Sequence, residues 1–331
     1  MATAKASGKR ITLDDLRKRA AKGALTDKEL RAYFKLDDDR KQAFAPVIQL
    51  DYARVDTGGK KLPDQDAAQL FDQAASARLP KAPPKARTLS LEATAAPIKL
   101  LAEGDSWFNL PDLFMPKDAI DILRETYTVS SVAMWGDTLE NMLAQKQYVQ
   151  KLDSGNFRHF LFSGGGNDVL GSIGTFVKTR TPGDTDPAHA PDYVKPSFAT
   201  KVKKIITGYE QLAEDVRQAR GSRTVLYVHG YANAVPKPGG KYLGRRLDAL
   251  GFDPATVGPL AAAIVAHMVG MFNTALQGFA AARANIAYVD LRGKVTAAAD
   301  WNSDEIHPSA KGARKVAGAF DQAIRANSPS V

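Results

Sequence analysis

Cysteine is absent from the 331 residues. That absence excludes disulfides, thiolate metal sites and cysteine nucleophiles together. No unbroken apolar run approaches the roughly 18 residues that a membrane-spanning helix needs, so none is expected. The first ten residues are basic and rich in Ala and Ser, but they lack the apolar core of a secretory signal. The default expectation is therefore a cytoplasmic protein. An excess of one charge is also nearly missing beyond residue 90. Residues 1–90 hold 19 Lys/Arg against 12 Asp/Glu, an excess of +7 within a net charge of +9, which leaves +2 for the rest. In that first stretch acids such as Asp37, Asp38 and Asp39 are mixed among the bases, the pattern of a solvated helical surface rather than a nucleic-acid-binding tail. No nucleic-acid partner is expected, and contact of residues 1–90 with a membrane or a protein is the alternative reading of their charge.

What is present is ordinary globular composition, 44% hydrophobic and 24% charged. Residues 12–48 read as short helices, because Thr12-Leu-Asp-Asp15 and Thr26-Asp-Lys-Glu29 resemble N-terminal caps followed by helix formers. Gly58, Gly59 and Pro63 interrupt that pattern, and a further helix is expected over 65–77. Prolines 80, 83 and 84 make residues 79–87 a linker, which divides the chain into a basic helical region, 1–90, and a main domain, 91–331. Beyond it, five β-rich runs at 98–102, 127–133, 157–162, 224–229 and 286–290 alternate with helical stretches at 117–125, 137–148, 200–219 and 258–284, and a last helix follows Pro308. That alternation predicts an α/β fold with a parallel sheet covered on both faces. Residues 171–199, rich in Gly and Pro, break the rhythm and read as a lid or a surface insertion.

Four blocks fall where strands are expected to end, which is where such sheets bind ligands. Glu103-Gly104-Asp105-Ser106-Trp107 follows the first strand, placing a serine hydroxyl on a tight turn that leads toward a helix N-terminus. Gly136 follows the second and brings an N–H that no side chain shields. Gly164-Gly165-Gly166-Asn167-Asp168 follows the third and offers an amide donor to a developing oxyanion. Asp304-Glu305-Ile306-His307 lies beyond the fifth, where the spacing sets a carboxylate beside an imidazole on one turn. A serine hydroxyl needs such a base before it becomes a useful nucleophile.

Taken together and in this order, the blocks resemble the SGNH hydrolases, the Gly-Asp-Ser-Leu-type lipases and esterases, whose four named residues are matched by Ser106, Gly136, Asn167 and His307. The resemblance covers residues 96–325. It implies a flavodoxin-like three-layer α/β/α fold and ester hydrolysis through an acyl-enzyme, with no metal and no cofactor. It also implies Ser106 as nucleophile, His307 as base, Asp304 as its orienter, and an oxyanion hole from Ser106 N–H, Gly136 N–H and the Asn167 amide. Trp107 departs from the leucine common at that position. The chain order Ser, Asp, His also occurs in α/β-hydrolases, but their G-x-S-x-G elbow is missing, since Phe108 stands in place of the second glycine.

A metal-dependent phosphoesterase is the rival enzyme class. Histidines 159, 189, 229, 267 and 307 are too widely separated to form its close pairs. Gly239-Gly240-Lys241 lacks the spacing and the Ser/Thr of a phosphate loop. The three tryptophans, Trp107, Trp135 and Trp301, each lie beside a block, and with His229 at the end of the fourth strand they are candidates to line a pocket. Lipid or other acyl esters are the expected substrates, with carbohydrate O-acetyl esters and thioesters as alternatives.

Overall fold

Five short runs form one parallel sheet; four carry β-branched or aromatic residues, and the first, Lys-Leu-Leu-Ala-Glu-Gly, relies on leucine. The computed structural model describes residues 10–42, 45–78, 98–220 and 223–328. The strands are β1 (Lys99–Gly104), β2 (Thr128–Ser131), β3 (His159–Ser163), β4 (Val225–His229) and β5 (Ile286–Val289). All pair in parallel in the order β2-β1-β3-β4-β5. Parallel strands need crossovers, and helices supply them. The central strands are covered on both sides: every residue of β3 is buried, and in β1 only Lys99 is exposed. This is the expected flavodoxin-like α/β/α arrangement. In this strand order the direction of winding reverses between β1 and β3, where a crevice opens.

The helix Ala119–Leu123 packs beside Ala310–Ala326, while Ser197–Arg220 packs with Gln147–Ser154 and with Pro254–Ala281. The stretch expected as one helix over 137–148 is two, Leu139–Gln145 and Gln147–Ser154, separated by Lys146 at φ +50°. The 254–281 helix corrects the reading of hydropathy. It carries no charged residue, and its mean hydropathy reaches 1.7 over an 18-residue window, enough by length and composition to cross a membrane. Scattered polar residues such as His267 and Asn273 conceal this in a search for unbroken apolar runs. Here it buries a stripe of Leu260, Ile264, Met268, Phe272 and Leu276 at helical spacing.

Residues 171–199 are folded rather than loose. They contain the helix Ile173–Phe176, a 3₁₀ turn Pro187–His189 and the helix Ala190–Tyr193, and Val177 bridges to Val194. Val177, Ala190 and Tyr193 are buried, and the Tyr193 ring meets Phe252 edge-on at 4.9 Å.

A second compact unit comprises the described residues up to 78 together with Pro111–Pro116. Thr12 and Thr26 cap the helices Leu13–Ala21 and Asp27–Tyr33 as their sequences suggest, Thr26 with Glu29 in a reciprocal capping box. The helix Asp64–Ser76 also forms where expected. The expectation of helices throughout 12–48 fails after Tyr33. Phe34–Gln42 and Ala45–Leu50 pair as an antiparallel hairpin, with Phe34 opposite Leu50 and Leu36 opposite Ile48. The reason is a period-two alternation that puts Phe34, Ile48 and Leu50 on the buried face. Within this unit Phe71 packs between Phe34 and Phe114, with ring centroids 5.3 and 5.5 Å away. The expected linker at 79–87, and with it the boundary near residue 90, lies outside the described residues.

Candidate active site

Ser106 sits just past the end of β1 in a single turn, where Phe108 and Asn109 N–H both donate to the Asp105 carbonyl. No helix begins here, contrary to expectation; the next one starts at Ala119. Gly104 is required because β1 and β3 approach too closely for a side chain. A Cβ there would lie 2.7 Å from both the Ser163 Cβ and the Ser163 carbonyl oxygen. The Asp105 N–H donates to that same carbonyl at 3.0 Å, which fixes the start of the turn.

His307 arrives from the other end of the chain. Trp301 bridges to Pro308, and Asn302 N–H donates to the His307 carbonyl at 2.8 Å, closing the 301–308 segment into a loop. Inside it Asp304 Oδ1 accepts the His307 N–H at 3.1 Å, and Asp304 Oδ2 lies 2.8 Å from His307 Nδ1. His307 Nε2 lies 2.7 Å from Ser106 Oγ. The three side chains thus form one hydrogen-bonded line across 201 residues of sequence separation. His307 has no exposed surface and Ser106 is 3% exposed, so bulk water barely reaches the pair. Burial alone would raise the Asp304 pKa, but the adjacent imidazole and the N–H groups of residues 306 and 307 outweigh it and hold the carboxyl below its usual range.

Gly136 and Asn167 lie on segments that are stitched together. Gly136 adopts φ +81°, the left-handed conformation that glycine permits. Asn167 Nδ2 donates to the Asp137 carbonyl at 2.9 Å, and Asp168 Oδ2 accepts the Leu139 N–H at 3.1 Å. Gly165, at φ +92°, turns the chain from β3 into the helix Gly166–Leu170 that carries Asn167. Burial, assisted by the negative charge of Asp105, pushes the Asp137 carboxyl up to about 6.

Sequence reasoning missed a polar network below the serine. Asp105 is buried, and its carboxylate accepts from Ser163 Oγ at 2.7 Å, Tyr231 Oη at 2.5 Å and Trp107 N–H at 3.1 Å. His229 Nε2 lies 2.8 Å from Ser163 Oγ. Complete burial lowers the His229 imidazole to about 4 and raises Asp105. His229 is therefore a core residue, stacked on Trp107 and Phe108, rather than a pocket wall. Trp301 packs edge-on against Trp107 at 6.1 Å, and Trp135 is 5% exposed, so both also belong to the interior. Trp107 is 7% exposed and borders, with Ser106, a small hollow that has no room for a water molecule and is otherwise lined by Leu110, Asp118, Ala119, Pro308, Ala313 and Val316. Asp118 turns its carboxylate to the N–H groups of Leu110, Ile120 and Asp121, which leaves an almost wholly apolar lining.

Comparison with known proteins supplies a family. No curated protein matches the chain. Similar solved structures include an extracellular lipase from Streptomyces rimosus, at 14% identity over 68% of this chain and 99% of that one, with a TM-score of 0.46. A carbohydrate esterase family 3 protein from Talaromyces cellulolyticus shows 15% identity over 70% and 100% of the two chains, with a TM-score of 0.41. A family 3 carbohydrate esterase from Clostridium thermocellum shows 14% identity over 69% and 98%, also with a TM-score of 0.41. The model of the GDSL-like Lipase/Acylhydrolase family matches residues 102–315, a span that takes in the whole Ser106–His307 site. The chain belongs to the GDSL-like lipase/acylhydrolase family of hydrolases.

Proposed function

We propose that this hydrolase cleaves carboxylic esters through an acyl-serine intermediate, with Ser106 as nucleophile, His307 as general base and Asp304 as its orienter. The observation that carries the reading is the unbroken line from Asp304 Oδ2 through both His307 nitrogens to Ser106 Oγ, at 2.8 and 2.7 Å. As Ser106 Oγ attacks the ester carbonyl, its proton passes to His307 Nε2, and ionised Asp304 stabilises the imidazolium through Nδ1. The tetrahedral oxyanion is received by the N–H groups of Ser106 and Gly136 and by the Asn167 amide. His307 then returns the proton to the departing alcohol oxygen. Water, deprotonated by the same imidazole, attacks the acyl-serine and releases the acid.

Esters of lipid or other acyl groups are the leading substrates, with carbohydrate O-acetyl esters and thioesters as alternatives. Steady-state kinetics on nitrophenyl esters graded from acetyl to long chain test this, with Ser106→Ala as the control. A kcat/KM that rises with chain length, abolished in the variant, agrees with the reading. Turnover confined to the acetyl ester overturns the preference for longer acyl groups, and turnover that survives Ser106→Ala overturns the mechanism.

A further inference from the structure

Within the Asp304–His307 turn lies a residue that the reaction itself leaves unused. Glu305 is fully buried and holds φ +78°, a conformation that a non-glycine residue keeps only where its surroundings impose it. Its carboxylate accepts four backbone N–H groups from one loop. Oε1 takes those of Lys237 at 2.7 Å and Gly244 at 2.9 Å, and Oε2 takes those of Tyr242 and Leu243, each at 2.9 Å. The glycine-rich stretch Gly239-Gly240-Lys241, too sparse for a phosphate loop, lies between the donors of this N–H cluster, and the anion they hold is the chain's own. Gly240 is bare because a Cβ there would meet Glu305 Oε1 at 2.1 Å.

The same loop touches the turn at two other points. Lys237 Nζ donates to the Asn302 carbonyl at 3.0 Å, and the Tyr242 ring stands perpendicular to the His307 imidazole at 6.0 Å. Resting on the proposed roles of Ser106 and His307, we propose that Glu305 is a positioning residue, which acts by holding the turn and the 237–244 loop so that His307 Nε2 faces Ser106 Oγ. Four charge-assisted bonds fix the carboxylate, the carboxylate fixes the backbone of residue 305, and that backbone sets the imidazole two residues on. Glutamine keeps the shape but has only one acceptor oxygen, so its amide NH₂ faces two N–H donors.

The test compares wild type, Glu305→Gln, His307→Ala and the double variant in single-turnover reactions with an activated nitrophenyl ester. The acceleration that survives loss of the imidazole, about 10³–10⁴ over water, keeps the weak variants measurable. Glu305→Gln is expected to lower the rate by about 10–10²-fold, the scale of a small misplacement of a catalytic group. In the His307→Ala background the same substitution is expected to change the rate by less than about twofold, because residues that act as a unit do not add. Gly240→Ala leaves Glu305 intact but drives its carboxylate out, and is expected to repeat both results. An equal loss in both backgrounds, or an unchanged rate in the single variants, overturns the proposal. So does unfolding of both single variants beside a folded His307→Ala protein, which marks a purely structural clasp. Failure of the underlying triad looks different: His307→Ala alone would turn over like wild type.

Discussion

Replacing Asn167 by alanine separates oxyanion chemistry from turn structure. Its amide has two hydrogens, and one is committed to the Asp137 carbonyl at 2.9 Å. That bond orients the amide and leaves the second hydrogen for a ligand. Charge on the substrate oxygen grows only as Ser106 attacks, so such a donor stabilises the transition state more than bound ester. Loss of one oxyanion donor costs about 10²–10³ in kcat, or about 3–4 kcal/mol. The lost bond to Asp137 is a separate and smaller quantity, about 1 kcal/mol, because a neutral hydrogen bond largely replaces one with water. In a unit of this size that lowers Tm by about 2–4 °C. Asn167→Ala should therefore cut kcat by two to three orders of magnitude (about 10²–10³) with KM nearly unchanged. Asn167→Asp should be no better, since an ionised carboxylate can donate neither to Asp137 nor to the oxyanion. Steady-state kinetics and a melting curve on one preparation give both numbers. A variant with the small Tm loss and wild-type kcat would refute the reasoning, leaving Asn167 as a turn residue only.

His307→Ala should be about as damaging as loss of Ser106, whereas Asp304→Asn, which keeps the imidazole but removes its ionised partner, should lose about 10⁴-fold and retain measurable turnover. Equal, small effects at both positions in the same kinetic assay would dismiss the pairing. Asp137 gives a test by pH. Its folded pKa of about 6 exceeds the ordinary 3.8, so its favourable contribution is full below pH 3.8 and is lost as pH rises through 6. Asp137→Asn should thus stabilise the fold by about 3 kcal/mol at pH 8 and by only about 1 kcal/mol near pH 4.5. Denaturant unfolding at the two values checks it, and a gain independent of pH would contradict the assignment.

The sheet was legible because its central strands β1, β3 and β4 are short apolar runs buried on both faces, so hydrophobicity marks them, while the part-buried edge strand β2, Thr-Val-Ser-Ser, is flanked by Tyr127 and Val132. Their ends, and with them Ser106, Asn167 and His307, followed from the same signal. The hairpin at 34–50 was not read, although Phe34, Leu36, Ile48 and Leu50 alternate and Pro46 opposes a helix, because the capped helices before it carried the pattern forward. The break at Lys146 has no glycine to announce it. It is accompanied by a tertiary contact, Lys146 Nζ to Asp215 at 2.9 Å. The network around Asp105 joins β1, β3 and β4 through groups 58 and 66 residues apart, so no local spacing reveals it. Glu305 reads as an ordinary acid between Asp304 and His307. Only the fold shows that four N–H groups from a distant loop converge on it. The clue in sequence was the pair Gly240 and Gly244, bare positions whose neighbouring N–H groups an anion can approach.

The central claim is that Ser106 carries the acyl group. Intact-protein and peptide mass spectrometry after treatment with a serine-directed fluorophosphonate tests it most directly, with Ser106→Ala treated in parallel and its turnover measured. The account predicts a single adduct on Ser106 with complete loss of esterase activity, and a folded alanine variant that takes no label and shows no turnover. An adduct on another residue, or an alanine variant with near-wild-type turnover, would contradict it.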